Sequence, residues 1–278
     1  WIVARLQQVS GHIAAHMAGY RFDLVARDLY EFVWNDYCDW YIELSKPVLY
    51  SDACPEEVKR AARHTLLGVL ESILRLLHPV MPYITEELWH RVAPLTGIDG
   101  KTIMHCRYPQ AEPGLVDEAA IDEIEWLKKF VMGVRQIRSE MDIKPGKPMP
   151  VICQNGTAED QQRIEGNLEL LQALAKLESI TWLEDGQAAP ESATTLVGEM
   201  RLLIPLAGLI DKQAELARLQ KNIQKHEQDV ERLGAKLSND NFVSRAPAEV
   251  VDREKAKLAD AQSALASLKD QAKRIASI

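Results

Sequence analysis

The sequence predicts a mainly α-helical protein with a helix bundle, a small α/β connector and a C-terminal antiparallel coiled-coil hairpin. Three observations predict this fold class. Apolar residues recur every three or four positions over most of residues 1–92, short strand-like runs lie between residues 151 and 205, and strict heptads begin at Leu216. Spacing of three and four indicates helices with one buried face, whereas sustained heptads indicate helices that pair along a seam.

The first part of the chain, residues 1–114, is predicted to be an up-down bundle because its helices are joined by short connections. We place its four helices at residues 1–19, 21–47, 55–78 and 82–92. Pro55 fits a first helical turn, where the missing N–H breaks no hydrogen bond. Pro79 and Pro82 end the third helix because each lacks a donor and restricts the residue before it.

The second helix, Arg21–Pro47, has the widest apolar stripe of the bundle. At ordinary helical spacing its large apolar side chains share one face: Phe22, Val25, Leu29, Phe32, Val33, Trp40, Tyr41 and Leu44. The opposite face carries Asp28, Asn35 and Asp39. This stripe predicts the central helix of the bundle.

Residues 115–209 are predicted to form the α/β connector. Helical spacing covers Asp117–Met141 and residues 158–177. Three short runs have the composition of strands: Val151–Cys153, Ile180–Leu183 and Arg201–Pro205.

Residues 210–278 are predicted to form the hairpin, which we call the arm. Its two apolar series are Leu216, Leu219, Ile223, His226, Val230, Leu233, Leu237, and then Val251, Glu254, Leu258, Ala261, Leu265, Leu268, Ala272, Ile275. The helix-breaking segment Ser238–Pro247 separates them, so the helices fold back on each other. About 27 residues at 1.5 Å each give the first helix a length of roughly 40 Å.

Charge is divided unevenly along the chain. The 278 residues carry a formal charge of −8. Of the 33 Lys and Arg and the 41 Asp and Glu, 13 and 11 lie in residues 211–278, so this segment carries +2 and the preceding residues carry −10. An acidic body with a mildly basic arm excludes indiscriminate nucleic-acid binding but fits a polyanion held at chosen places.

Composition indicates a protein of a reducing compartment, and we expect the cytoplasm. Cys38, Cys54, Cys106 and Cys153 have no CxxC spacing, and no apolar run is long enough to span a membrane. The sequence opens at Trp1 with no signal-peptide pattern, from which we expect an excised fragment of a longer protein.

We expect no catalytic residues and no metal site. Phosphate-binding glycine loops, a serine elbow and the HExxH pattern are all missing from the sequence. His12 and His16 share a helix face but have no evident third ligand, so ordinary helix surface is the better interpretation. His226 at a heptad position favours a packed, register-setting residue over a pH switch.

Several motifs together resemble the C-terminal region of valyl-tRNA synthetases, which belong to class I of the aminoacyl-tRNA synthetases. The resemblance covers nearly the whole chain and rests on these segments: Trp1–Leu6, Leu29–Trp34, Cys38–Tyr41, Lys46-Pro47, His78–Trp89, Val134–Met141, Pro145–Pro148, Asn241–Val243 and Ala246-Pro247. The isoleucyl and leucyl enzymes share the pattern from His78 to Trp89, whereas the heptad tail points to the valyl family.

The resemblance implies that the bundle binds the anticodon stem-loop of tRNA. Unstacked loop bases are recognised by aromatic stacking and by hydrogen bonds to their edges. We therefore expect Asn35 to contact a base edge and Tyr37, one step off the apolar stripe, to stack on a base; the alternative for Tyr37 is a core ring. Arg21 is a candidate phosphate contact or else a solvated arginine. Tyr108 and Gln110 fall where the family's next anticodon-facing loop lies.

The resemblance also implies that the arm lies along the outer corner of tRNA, where the D and T loops meet. Phosphate contacts there give affinity and orientation without reading sequence. The candidate cations lie outside the apolar seam: Arg218, Lys221, Lys225, Arg232, Lys236, Arg245, Arg253 and Lys257. The alternative is a surface that needs lysine and glutamate only for solubility.

We therefore expect the tRNA-binding part of a valyl-tRNA synthetase, inactive alone, that positions valine tRNA for the catalytic domain. The expected partners are that tRNA and the catalytic and editing domains of the same chain, with no membrane and a monomeric state. No cofactor is expected in this segment, and ATP and Mg²⁺ are expected in the full-length enzyme. The alternatives are the isoleucyl homologue, which commonly ends in cysteine-rich zinc modules, and a coiled-coil scaffold without RNA binding.

Overall fold

A computed structural model describes residues 1–184, 187–206, 212–238 and 248–277. It confirms a mainly α-helical fold with a small α/β connector. Its helices are α1 Ile2–Ala18, α2 Phe22–Glu31, a π-helical segment Phe32–Tyr41, α3 Ile42–Tyr50, α4 Glu56–Leu77, α5 Pro82–Val92, α6 Glu118–Glu140, α7 Ala158–Gly166, α8 Leu168–Ala175, α9 Lys212–Leu237 and α10 Ala248–Ser277. Its strands are β1 Met149–Gln154, β2 Leu177–Trp182, β3 Ser192–Val197 and β4 Met200–Pro205.

The predicted central helix continues from α2 through the π-helical segment into α3, and we call this run, Phe22–Tyr50, the composite helix. The π-helical hydrogen bonds join residues five apart. Phe32 and Tyr37 are therefore buried on one face, at 1% and 6% exposure. The predicted stripe was wrong at its start, because Phe22 is 61% exposed.

Two apolar clusters form the bundle. The larger one joins α1, the composite helix and α4: Ile2, Leu6, Val9, Ile13, Val25, Leu29, Phe32, Tyr37, Val69, Ile73 and Leu76. The smaller one joins α4, α5 and the following loop around Trp89, whose indole N–H donates to Glu71 Oε1 at 2.9 Å. Glu71 is 2% exposed and also accepts from Arg75, so its buried charge is compensated.

The connector packs α6 and α8 against a four-stranded sheet of order β2-β1-β4-β3. β1 and β2 are parallel, whereas β4 is antiparallel to both of its neighbours. The strand predictions overlap β1, β2 and β4, and the sequence analysis missed β3. The predicted helix 158–177 is divided at Asn167 and ends at Ala175, where Lys176 adopts a left-handed conformation (φ 54°).

The arm is an antiparallel pair, as predicted. Cross-helix ion pairs join Lys236 to Glu254 at 3.0 Å and Lys269 to Glu227 at 2.7 Å, so the start of one helix lies beside the end of the other. The 26 residues of α9 correspond to about 39 Å. The arm also contacts the connector. Leu219 belongs to the connector core, and Leu216, Leu268 and Ala272 pack against that core.

The predicted loop Ser238–Pro247 lies, apart from Ser238, outside the described residues. Within the described part of the chain, none of the helices combines the length and apolarity needed to cross a bilayer.

Candidate nucleic-acid interface

The composite helix presents a stacked aromatic pair to solvent. Tyr30 and Trp34 are 65% and 55% exposed, their ring centroids lie 6.4 Å apart, and their planes differ by only 8°. Flat, exposed rings are the surfaces on which unpaired bases stack. The sequence analysis did not select this pair, although two aromatic residues four positions apart and off the apolar stripe were a readable signal.

Asn35 follows Trp34 directly and is exposed. Its amide makes no hydrogen bond with any described residue, so its donors and its acceptor are available to a base edge. Asp39 is also exposed, about one π-helical turn further along. The structure therefore supports the predicted position of Asn35, and the contact itself remains a prediction.

Tyr37 is a core residue, contrary to the predicted role in base stacking. Its ring packs in the bundle core, and its hydroxyl donates to the backbone oxygen of Leu66 at 3.0 Å. Burial raises the pKa of Tyr37 to about 12. The π-helical geometry explains the error, because ordinary helical spacing placed this ring outside the stripe.

Arg21, before α2, forms a double hydrogen bond with Asp23 at 2.9 and 2.7 Å. This hydrogen bonding is the main cause that lowers the pKa of Asp23 to about 2, and it also raises the pKa of Arg21. Both side chains are exposed. A phosphate would have to share this guanidinium with Asp23, so Arg21 is a weaker candidate than the sequence indicated.

Tyr108 and Gln110 lie in a loop that closes a cavity of about 660 Å³ between α1 and α4. The Tyr108 hydroxyl donates to Leu76 O at 3.1 Å, and burial raises its pKa to about 12. Gln110 is exposed. Arg75 donates to the backbone oxygen of Arg107 at 2.8 Å and thereby supports the loop. Tyr108 thus positions the loop, whereas the exposed Gln110 makes no side-chain hydrogen bond among the residues that the structure describes.

A buried ion cluster fixes the π-helical segment against the connector. Asp36 accepts from Arg5 at 3.0 and 3.1 Å and from Lys128 Nζ at 3.0 Å. Lys128 also contacts Glu125 at 2.7 Å and lies 4.4 Å from the ring centre of Trp1. Asp36 and Lys128 are 7% and 8% exposed, so each charge depends on its partners.

The predicted arm cations fall into two groups. Arg232 pairs with Asp229 at 2.8 Å, whereas Lys236 and Lys257 both pair with Glu254, at 3.0 and 2.9 Å. Lys221, Lys225 and Arg253 are exposed and have no ion pair within the described residues. Arg245 and the side chain of Arg218 lie outside the description. The unpaired cations are the better phosphate contacts, since no internal partner competes.

The described residues include no group of three or more His, Cys, Asp or Glu that suits a metal ion. His12 and His16 have ring centres 6.4 Å apart, and His16 faces Asp28 at 3.2 Å. On the arm, the Nδ1 atom of His226 is buried and makes no hydrogen bond.

Two family models match parts of this chain. The model of the anticodon-binding domain of tRNA ligase matches residues 1–153, more than half of the 278 residues. The chain belongs to this anticodon-binding family. A second match, to the tRNA-binding arm of valyl-tRNA synthetase, covers residues 211–276. Together they indicate the tRNA-binding C-terminal region of a valyl-tRNA synthetase-like protein.

Membership of the anticodon-binding family makes tRNA the partner of this chain. The aromatic pair and Asn35 belong to the anticodon-binding match, whereas Lys221, Lys225 and Arg253 belong to the arm match. Both matched domains come from aminoacyl-tRNA synthetases, and neither is a catalytic domain. The boundaries at residues 114 and 209, between bundle and connector and between connector and arm, stay predictions.

Proposed function

We propose that this chain positions valine tRNA for aminoacylation by a catalytic domain of the same protein. The observation that carries the proposal is the exposed Tyr30–Trp34 stack, next in sequence to the exposed Asn35, whose amide makes no hydrogen bond in the described part of the chain. Bases of the anticodon loop would stack on the rings while Asn35 reads one base edge. This surface combines a sequence-tolerant contact with a sequence-selective one.

The arm would supply a second contact at the outer corner of the tRNA. Lys221 and Lys225 lie one helical turn apart on α9 and make no ion pair with any residue that the structure describes, so they suit successive phosphates. Contacts at two remote places restrict how the tRNA is oriented, and orientation brings its acceptor end to the active site. The reaction itself, with valine, ATP and Mg²⁺, and the editing of mischarged tRNA would belong to other domains. We propose that the protein acts as a monomer.

The scaffold alternative requires exposed apolar side chains beside the seam of the arm. Among the described residues, the strongly exposed large apolar side chains all precede α9, the last being Leu196. The arm is instead rich in charged residues, with 13 Lys and Arg and 11 Asp and Glu in residues 211–278, and such a surface suits contact with solvent and RNA. The isoleucyl alternative receives no support from the arm match.

A gel-shift comparison of valine tRNA with an anticodon-swapped version tests the proposal. Trp34→Ala should weaken binding of both RNAs about tenfold or more, because a stacked base contributes roughly 1–3 kcal/mol. Trp34→Phe should retain most of the affinity, since it keeps an aromatic face. Asn35→Ala should reduce the difference between the two RNAs. Equal binding of both RNAs by the unmodified chain would contradict anticodon reading.

A further inference from the structure

An open groove lies where the π-helical segment, α6 and β3 meet, outside the surfaces assigned so far. Its volume is about 800 Å³. It is lined mainly by Trp40, Lys129, Met132, Arg135, Gln136 and Leu196. Asp39 is the one acidic residue of the lining. Met132 and Leu196 are 59% and 64% exposed, so the groove combines solvent-exposed apolar side chains with charged ones.

Close packing of β3 on α6 builds this groove. Gly133 faces Thr195, and a Cβ at residue 133 would lie 2.9 Å from the Thr195 methyl carbon. Glycine therefore allows β3 to approach the helix, which places Leu196 at the rim. On the same side of α6, Lys129, Met132 and Gln136 succeed one another at spacings of three and four.

Two exposed cations line the groove in different ways. Lys129 makes no ion pair or hydrogen bond within the described residues, whereas its neighbour Lys128 is committed to Asp36 and Glu125. Arg135 donates one N–H to Leu174 O at 3.2 Å, and its guanidinium carbon lies 5.7 Å from the ring centre of Trp40. These contacts hold the guanidinium in place, so less side-chain freedom is lost when it binds a ligand.

We propose that this groove is a third RNA contact, which binds the phosphodiester backbone of the same tRNA between the two outer contacts. The inference rests on the proposed function. Residues 1–210 carry a net charge of −10, so an unpaired lysine beside an ordered arginine stands out from its surroundings. Phosphate contacts of this kind orient an RNA without reading its sequence.

The position of the groove also favours tRNA as the occupant. The connector core is contacted by Trp40 and Leu44 of the composite helix and by Leu268 of the arm, and it includes Leu219 of the arm. An RNA held by both the bundle and the arm therefore has to pass the connector. In addition, Asp39 and Trp40 follow Asn35 by about one π-helical turn, so the groove continues the proposed anticodon surface.

Binding of valine tRNA to the full chain at about 50 and 200 mM salt tests the groove. Lys129→Gln should lower the salt-dependence slope by about one unit, which is roughly a fourfold change across this salt range. Lys129→Arg keeps the charge and should keep the slope. Lys101→Gln removes an exposed lysine from the loop near Trp89 and should also leave the slope unchanged. The loss should be the same with anticodon-swapped tRNA.

Lysine acetylation followed by mass spectrometry provides a second readout on the unmodified chain. Bound tRNA should protect Lys129 from acetylation and leave Lys101 reactive. If the chain binds tRNA while Lys129→Gln keeps the full slope and Lys129 stays reactive, the groove proposal is overturned and the proposed function stands. A chain that binds no tRNA at either salt would overturn both.

Discussion

Asp36 shows how much of this molecule depends on a single carboxylate. It lies in the π-helical segment, yet it accepts hydrogen bonds from Arg5 on α1 and from Lys128 on α6. These contacts connect the bundle with the connector. In sequence, Asp36 lies between Trp34 of the exposed aromatic pair and Asp39 of the groove lining. Since Asp36 is 7% exposed, water replaces a lost partner poorly, so removal of Asp36 would leave the buried Lys128 with Glu125 as its remaining ion pair in the described residues.

Asp36→Ala should lower the free energy of unfolding by about 3 kcal/mol, because Lys128 would keep only Glu125 as an ion-pair partner. Urea denaturation followed by circular dichroism measures the change. Asp39→Ala is the matched control in the same segment; its side chain is exposed, so the expected effect is within about 0.5 kcal/mol. Equal changes in the free energy of unfolding for the two substitutions would show that the ion cluster does not stabilise the fold.

Tyr37→Phe should cost about 1 kcal/mol, the usual contribution of one hydrogen bond, here the bond to Leu66 O. A substitution to phenylalanine keeps the ring, so the helical circular dichroism signal should not change. RNA binding should not change either, since the ring lies in the core. Anticodon discrimination that fell in this variant would restore the base-stacking role assigned from the sequence.

Alkaline titration tests the environment of Tyr37 and Tyr108. Burial raises the pKa of each to about 12, above the reference of about 10 for an unfolded chain. Below pH 10 both states keep the proton, so stability is independent of these groups. Between about pH 10 and 12 only the unfolded chain releases protons, so stability falls as pH rises. Burial also raises the pKa of Tyr41, so phenolate absorbance should show three tyrosines that ionise late, and one of them should disappear in Tyr37→Phe.

At the scale of elements, periodicity in the sequence predicted most of the helices and the pairing within the arm. It failed where the local geometry changes. The π-helical segment buries Phe32 and Tyr37 together, whereas ordinary helical spacing placed Tyr37 outside the stripe. β3 was missed because only three of its six residues, Ser192–Val197, are apolar, and its position is fixed by pairing with β4 rather than by a hydrophobic pattern of its own.

The candidate site, like the fold, could be predicted from the sequence only in part. Sequence motifs indicated the tRNA-binding family to which the chain belongs. They also predicted that Asn35 and the arm cations lie on the surface. They did not show that Lys236 is paired with Glu254, because an ion pair between α9 and α10 depends on how the two helices align, whereas Arg232–Asp229 and Lys257–Glu254 are local pairs three residues apart. The Tyr30–Trp34 stack was overlooked although its spacing of four residues is visible in the sequence, whereas the groove depends on segments that only the folded chain brings together.

The arm offers a matched comparison of paired and unpaired cations. Lys221→Ala combined with Lys225→Ala should lower the salt-dependence slope of tRNA binding by up to about two units. Arg232→Ala combined with Lys257→Ala removes the same charge, but these residues already face Asp229 and Glu254, so the slope should change less. Gel shifts at several salt concentrations measure both. A larger loss for the second pair would contradict this assignment.

At the scale of the whole molecule, the connector joins two RNA-binding parts through one core. Leu219 is 1% exposed and belongs to the same cluster as Phe130 and Val134 of α6. The segment of the arm around Leu219 thus packs as part of the connector core. Trp40 and Leu44 of the composite helix pack against that same core. The fold therefore supports the view that bundle and arm act on one RNA at the same time.

Binding of intact valine tRNA and of an isolated anticodon stem-loop RNA to the same chain tests this view most directly. Trp34→Ala should weaken the binding of both RNAs, because both contain the loop that stacks on this ring. Lys221→Ala with Lys225→Ala should weaken the binding of intact tRNA and leave the stem-loop unaffected, because only intact tRNA has an outer corner. An arm variant that weakens both RNAs equally, or neither, would contradict two separate contacts on one tRNA.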